Sequence, residues 1–576
     1  MQRSPTPPTL SAKNIDTHLG MVRDRSGTEM RTEEYRTLSN IDNVLLQSLR
    51  KRLGSAKYAA QTESAGAKVQ EVMTFTDSAG TKTYIKIANG QLRKSTGGAW
   101  STIGAAVFTD TQTFIRQLNT RKTGASADAT GTSTASDFST VTDGAASMTI
   151  NAHLGKVLSI GGQQKVIVGN SATVFYLGER FDDAPANGTY NVYPRQQEFF
   201  IANGTNFYKC DGTTLTQLDT SAYATSFTGL EIHDSRLWAW KGSRGYWSDI
   251  GLGEHFSRNS WKDFSSDLQC ITDLAEILVF SEKKKVTVKL NEQPDSFFWR
   301  TTLTNYGLIA PKSAAVYPGY LFFLDDQLGV MMLHLKDITA RNLTVFGDEI
   351  MPVSTSLNYI NTLIFAHSAA ELAAACGFVD HGNYYLRIGS DVFVLHVQAS
   401  IELSAKKFGE TVWVWSIRTY PTAIIPSAMG RYDTSFVFGG STNGQVYEVN
   451  KTGTYDDDGT AIQQILEKCD WLGDSIDRKG FDALHVSQGT QASSSTYNLY
   501  IAGGGGTTFS ATPDLQWDPS TIGTDRLMTL KFPGNPSDSP KKDTGIATSI
   551  RIDETSSVLT SDIESLSLHY FPGVQP

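Results

Sequence analysis

Residues 199–218 read FFIANGTNFYKCDGTTLTQL. Three short runs of β-branched and aromatic residues are separated by Asn203-Gly204 and Asp211-Gly212, dipeptides that tolerate the positive φ a tight hairpin requires. The segment therefore reads as a strand–turn–strand–turn–strand meander. The pattern recurs in YIKIANGQLRKSTGGAW, residues 84–100, and in SFVFGGSTNGQVYEVN, residues 435–450, where Asn89-Gly90 and Asn443-Gly444 mark the turns. A meander repeated at a loose spacing of roughly 40–50 residues favours a propeller over a sandwich or barrel. Neither the Gly-His nor the Trp-Asp repeat signature is present.

Working outward, similar runs occur at Val69–Phe75, Thr83–Ile87, Lys165–Val168, Ala172–Leu177, Tyr320–Leu324, Tyr384–Ile388 and Val392–Leu395. Helical periodicity is scarce: Glu33–Arg52 is one candidate and Ser368–Cys376 a short one. The expected fold is mostly β, a β-propeller with an inserted small β-domain and a C-terminal β-sandwich-like region. The Ser/Thr/Ala/Gly-rich stretch 120–145 reads as an exposed loop or linker. It leads into a compact strand-rich segment from His153 to Tyr193. A second break falls at Thr452–Gly459, before polar stretches such as Gly503–Gly506 and Pro533–Pro540. The expected units are an N-terminal arm with a short helix (1–54), first propeller strands (55–118), inserted linker and small β-domain (119–194), remaining blades (195–455) and the C-terminal region (456–576).

Composition bounds the function. The chain has 576 residues, or about three or four domains' worth. Its 50 Lys and Arg against 59 Asp and Glu give a net charge of −9, which argues against a surface that grips nucleic acid all over. The four cysteines, Cys210, Cys270, Cys376 and Cys469, are widely spaced, so buried reduced thiols are expected rather than a disulfide scaffold or a zinc site. The N-terminal stretch shows no apolar signal-peptide core, and no run of about 18 apolar residues suggests a membrane span.

Sites of chemistry are sparse. GxSxG, HExxH, the phosphate-binding GxxxxGK[ST] and GxGxxG are absent, as are sialidase Asp-boxes. Asp456-Asp457-Asp458-Gly459 invites a calcium reading, but an EF-hand loop needs Glu six residues past the Gly, where Ile465 stands. A solvated acidic turn is expected. Asp325-Asp326 and Asp182-Asp183 are carboxylate pairs, yet neighbours on a strand point to opposite faces, so surface turns are expected. His233, His381, His396 and His569 read as structural. Trp238 and Trp240, at period two beside Trp247, and likewise Trp413 and Trp415, read as packing between blades rather than as sugar platforms. No catalytic, metal or cofactor residues are expected. Arg50-Lys51-Arg52 and Lys283-Lys284-Lys285 remain. The second triplet lies between two strand signals, and reads either as an exposed hairpin turn or as a non-specific phosphate contact.

Residues 13–55, KNIDTHLGMVRDRSGTEMRTEEYRTLSNIDNVLLQSLRKRLGS, resemble the opening of tail nozzle and hub proteins of short-tailed bacteriophages, of the tail tubular B and packaged-DNA stabilisation types. Glu34, Leu38, Asn40, Asp42, Arg50, Arg52 and Gly54 take the places of that opening's acidic residue, Leu-x-Asn-x-Asp step, basic pair and Gly. Residues 155–194 are similar to the family's inserted β-domain. Residues 236–256, and 277–290 with 305–333, resemble its successive strand pairs. Leu308 after Gly307 departs from the Cys often found there. The resemblance implies a virion structural protein in the tail, not an enzyme and without cofactor. Such a protein is a homo-oligomeric ring, typically six copies, continuing the channel below the portal and adaptor to hold packaged DNA and pass it on ejection. Tail fibres or spikes dock outside. Glu34, Asp42, Arg50, Lys51 and Arg52 are expected to make an assembly or adaptor contact, because a charged short helix beside a loop-rich terminus has little core of its own to bury, and Lys283, Lys284 and Lys285 are expected to touch the passing double-stranded DNA non-specifically if they face the channel. The alternatives are a tail-associated glycan-degrading enzyme and a receptor-binding tail protein.

Overall fold

Strands Val69–Thr76, Lys82–Ala88, Gln91–Ser95 and Ser101–Gly104 pair antiparallel in chain order as blade one. Ala88 pairs with Gln91, leaving Asn89 and Gly90 as the whole turn at φ 51° and 69°, the left-handed values that match hairpin twist. The Asx-Gly turns at 203, 211 and 443 work differently. There only the glycine has positive φ, and the Asn or Asp side chain accepts backbone N–H groups two or three residues on, as Asp211 Oδ1 does from Thr213 and Thr214 at 2.8 and 2.7 Å.

The computed structural model describes residues 11–15, 37–44, 48–59, 67–104, 108, 112–218, 226–275, 277–290, 297–335, 350–352, 360–403, 413–451, 454, 456–471, 480–488, 495–503, 509–518, 527–531, 547–556 and 563–571. Among these residues five further four-stranded meanders follow blade one, and a seventh blade is completed by an earlier strand; blades six and seven belong to one 14-stranded sheet. Blade two is Phe114–Arg121, Arg195–Ala202, Phe207–Cys210 and Leu215–Gln217; blade three is Gly229–His233, Arg236–Lys241, Arg244–Trp247 and Trp261–Asp263. Blade four is Leu268–Leu274, Ile277–Glu282, Lys285–Leu290 and Phe298–Thr304; blade five is Ala315–Tyr317, Tyr320–Asp325, Gly329–His334 and Ile350–Pro352. Blade six is Cys376–Asp380, Asn383–Ile388, Asp391–His396 and Trp415–Thr419. Blade seven joins Pro426–Tyr432, Ser435–Gly440 and Val446–Val449 to Ser55–Lys57, a strand from before blade one. The first strand of each blade neighbours that of the next, and blade seven returns to blade one. The expected propeller is present, with seven blades and a ring closed by the N-terminal segment.

The cores follow from the strand pattern. Central strands are buried on both faces, as in Ile277–Glu282, where every residue is buried. Trp238 and Trp240 are 0% exposed and meet Phe280 of blade four and Phe114 of blade two, so they pack between blades as expected. Ala369–Ala373 forms the short helix, with Ser368 and Glu371 making a reciprocal capping box.

Blade two opens between its first and second strands to admit residues 122–194. Seven strands lie there in the order Ala129–Thr132, Thr189–Tyr193, Val157–Ile160, Gln163–Asn170, Val174–Leu177, Thr140–Thr142, Ala135–Ser136. They enclose a separate core of Val141, Leu158, Ile160, Ile167, Phe175, Tyr190 and Val192. The 120–145 stretch is therefore not a linker: its small polar residues supply three short strands of this sheet.

A second correction concerns the expected helix at Glu33–Arg52. Its described residues instead form the strands Thr37–Ser39, Ile41–Val44 and Ser48–Lys51. Leu38 pairs with Leu466 and Leu49 with Ile563, and Asn40 sits at φ 56°, outside the helical region. Long-range ladders override local propensity. The C-terminal sandwich-like region consists of two sheets threaded by these N-terminal strands. One contains Thr460–Trp471, Ala547–Ser556, Tyr497–Gly503 and Leu515–Trp517. The other contains Ile563–Phe571, Gly480–Gln488 and Leu527–Lys531, with Ser11–Ile15 and Ser48–Lys51 beside Ile563–Phe571. Thr37–Ser39 lies between Thr460–Trp471 and the outer strand of blade six, so the sandwich continues one blade of the propeller.

Candidate functional site

Four places gather charge among the described residues: the N-terminal basic run, the lysine hairpin of blade four, the centre of the ring and the seat of the insertion on blade three. In the first, Arg52 is 1% exposed. Its guanidinium binds both oxygens of Asp457, while Nε donates to Asn40 Oδ1 at 2.9 Å and Nη2 to the Thr419 carbonyl at 2.9 Å. Lys51 is buried against Glu554 at 2.8 Å, and burial pushes its amine below the ordinary lysine value. Asp42 accepts from the buried Arg418 at 2.8 Å. Lys51, Arg52 and Asp42 thus spend their charges inside the chain, tying the N-terminal strands to blade six and the sandwich. Glu34 and the side chain of Arg50 lie outside the described residues. Asp457 is the buried member of the acidic turn, whose Asp456 Oδ1 accepts from Gly459 N at 2.8 Å; the turn is less solvated than its composition suggests.

Lys283 and Lys284 make the exposed turn between Ile277–Glu282 and Lys285–Leu290, with Glu282 paired to Lys285. Lys284 pairs with Asp326 on the neighbouring blade, and Lys285 Nζ reaches Ser265 Oγ at 3.3 Å. Asp325, next to Asp326, is buried and accepts from the backbone N–H groups of Gly307, Gln327 and Leu328 at 2.8–2.9 Å. The Asp325-Asp326 pair is therefore one structural carboxylate and one surface ion pair.

The ring's centre holds a cavity of 440 Å³ lined by six of the blades, including Thr74, Arg116, Glu231, Thr272, Cys376 and Arg431, and by Pro311, Lys312 and Ala314 just ahead of blade five. Arg116 forks onto Glu231 at 2.8 and 2.9 Å. Lys312 meets Glu71 at 2.7 Å. These cations and anions cancel in pairs. Each carboxylate is engaged by its cation. The thiols of Cys270 and Cys376 at this centre are buried, and burial pushes the Cys270 thiol up to about 12, far from a reactive thiolate. No signal for this cluster stood in the sequence, since Arg116 lies in a strand, FIRQLNTR, that is polar at most of its positions.

The fourth charged place was not foreseen. Where the insertion rests on blade three, Lys165 pairs with Asp249 at 2.8 Å and Arg236 pairs with Glu179. Glu179 also accepts from Ile250 N at 2.6 Å, and Asp249 from His255 Nδ1 and Ser257 Oγ at 2.6 and 2.8 Å. Burial opposes ionisation of Asp249, but His255 and Lys165 outweigh it and hold the carboxyl below its usual value. A cleft of 590 Å³ lies beside these pairs, lined by Phe138, Arg180, Asp182, Trp247 and Asn259 among others.

The histidines are structural where their side chains are described. His233 is buried between Asp273 and Asp234 at 2.7 and 2.9 Å, His396 is buried, and His381 stands exposed beside Asp380. The side chain of His569 is outside the described set. Among the described residues no cluster of three or more His, Cys, Asp or Glu has metal-binding geometry, and no helix is long and apolar enough to cross a membrane.

No protein-family model and no curated protein matches the chain. Among solved structures it is similar to the computationally designed Ika8 protein, at 10% identity over 68% of this chain and 99% of that one, with a TM-score of 0.30. It is similar to the Pan2 WD40 domain of Neurospora crassa at 10% identity over 60% and 98% of the two chains, TM-score 0.28. An exo-β-1,3-galactanase of Phanerochaete chrysosporium aligns at 11% identity over 59% and 95%, TM-score 0.20. The fold assignment rests on the strand pairing itself.

Proposed function

We propose that this chain is a structural subunit of the tail nozzle of a short-tailed bacteriophage, assembling into a homo-oligomeric ring that continues the DNA channel. The observation that carries the reading is that the stretches bearing the resemblance coincide with runs of consecutive paired strands. Residues 155–194 span the central strands of the insertion, 236–256 the middle of blade three and 277–290 the central hairpin of blade four. The charged groups at the ring's centre are paired with one another, as suits a scaffold rather than a reaction centre.

In this reading DNA does not pass through the propeller. The paired side chains of Arg116, Glu231, Lys312 and Glu71 line the propeller's centre, and a duplex would have to displace them. The conduit lies instead between copies. Six copies at −9 each carry −54, a field that repels the phosphate backbone weakly and keeps it from adhering. The exposed Lys283–Lys284 turn supplies local positive charge against that background, and in this reading brakes the duplex.

The test is particle assembly without the chain: such particles are expected to lose packaged DNA, and retention at the wild-type level overturns the proposal. Changing Lys283, Lys284 and Lys285 together to Gln is expected to alter the salt dependence of DNA leakage from intact particles. Unchanged leakage would assign the triplet to an ordinary surface turn.

A further inference from the structure

Exposed apolar side chains are unevenly spread. Of the large hydrophobic residues exposed among the described ones, Phe138, Ile150, Leu154, Val168 and Tyr176 all belong to the insertion, at 43–70% exposure, and four stand elsewhere. The five lie on adjoining elements. Val168 occupies the bulge in Gln163–Asn170 where Ile167 pairs with Leu177 and Gly169 with Tyr176. Tyr176 in turn pairs with Thr140, two residues beyond Phe138. The turn bearing Ile150 and Leu154 is bonded to the same strand through Asn151 N–H to the Asn170 carbonyl at 2.9 Å and Gly155 N–H to the Ile167 carbonyl at 2.8 Å. Apolar side chains exposed on adjoining elements of one domain make a candidate contact face.

We infer that this face is the contact of the insertion with a second copy of the same chain, seated on the outermost strands of blades three and four. Those strands expose Trp261 and Phe298, the aromatic residues among the four remaining exposed hydrophobics. Charge at the two surfaces is complementary. The insertion carries exposed Asp137, Asp182 and Asp183, with Arg180 as the opposing charge; Asp182 and Arg180 also line the cleft toward blade three of the same copy. The blade edge carries Arg244 over the Trp261 ring at 3.9 Å, Lys262 over the Trp299 ring at 4.9 Å, and Arg300, against Asp263. Because the two surfaces differ, the contact is head-to-tail, and repetition closes a ring if the rotation per copy divides a full turn. This inference rests on the ring reading proposed above and names the surfaces that would build it.

The experiment uses the full chain. A photo-crosslinking phenylalanine analogue at position 154 is activated in a mixture of ¹⁴N- and ¹⁵N-labelled protein, and crosslinked peptides are identified by mass. Mixed-isotope crosslinks joining residue 154 to the 261–300 region support the inference. Crosslinks within one copy, between two insertions or to another surface overturn it, as does a chain that stays monomeric at every concentration. The double change Ile150→Asp and Leu154→Asp, both exposed in the single copy, is expected to raise the concentration for half-assembly about tenfold or more with unchanged circular dichroism. Lys262→Glu is expected to weaken assembly, and Asp137→Lys in the same chain to restore part of it. The nozzle reading is tested separately by DNA retention in particles, so a ring built through another face would sink this contact and leave that reading standing.

Discussion

His396 lies fully buried, its Nδ1 facing Asn383 Oδ1 and its Nε2 facing Ser416 Oγ, each at 2.9 Å. Burial drives its pKa down to about 4. The unfolded ring takes up a proton below about 6.5 and the folded one only below about 4, so the unfolded state gains protons first as pH falls. Stability is therefore level above pH ~6.5 and declines between there and pH ~4, by about 3 kcal/mol from this residue. His396→Gln is expected to lower the thermal midpoint at pH 7 yet flatten its decline toward pH 4; an unaltered slope would discount the assignment. At Arg52 the expected loss is larger. Arg52→Met leaves Asp457 buried without its cation, at a cost of about 3–5 kcal/mol, while Arg52→Met with Asp457→Leu is expected to recover most of it in urea titrations. A double variant as unstable as the single would show that Arg52 acts through its other bonds.

Among the elements, Ser55–Lys57 is the short piece on which ring closure depends. The preceding Gly54 touches the acidic turn so closely that an added Cβ would overlap the Asp456 carbonyl. Gly54→Ala is expected to destabilise by about 1–3 kcal/mol and to raise hydrogen exchange in Val446–Val449, the strand it helps to seal; unchanged exchange there would separate the glycine from closure. The insertion presents the opposite case, since it has a core of its own and meets blade three through ion pairs. Asp249→Asn weakens the hold on the buried Lys165, and proteolysis is expected to attack the 122–194 boundaries while the blades stay resistant. Equal susceptibility of both would show that they unfold as one. Legibility in the sequence follows the same division. Meanders closed by Asn89-Gly90 or Asp211-Gly212 carry their structure in neighbouring residues and were readable. Strand Thr37–Ser39 takes its form from partners several hundred residues away, Ser48–Lys51 pairs with its neighbour Ile41–Val44 in a hairpin without a familiar turn dipeptide, and a charged, Leu-rich stretch gives no local sign of either. His381-Gly382 and Asp234-Ser235, left-handed two-residue turns, lack the familiar dipeptides and were missed for that reason.

For the whole molecule, the propeller class was visible from the repeat, whereas blade number was not, because it depends on how far each blade rotates against the next. The charged centre was not legible: Arg116 is one polar residue among several in its strand, and nothing local says that Glu231 is its partner. Lys51 and Arg52 looked like surface cations from their run with Arg50, and three-dimensional pairing turned them inward. Ring closure by a strand from before blade one also bears on the order of synthesis. Ser55–Lys57 leaves the ribosome almost 400 residues ahead of Val446–Val449, its partner. At about 5–20 residues per second it waits about 20–80 seconds. During that interval the first blades exist as an open arc with raw edges, the condition in which strands of neighbouring nascent chains can be exchanged. Slow translation would lengthen this exposure, and chaperone demand should peak just before the last blade emerges.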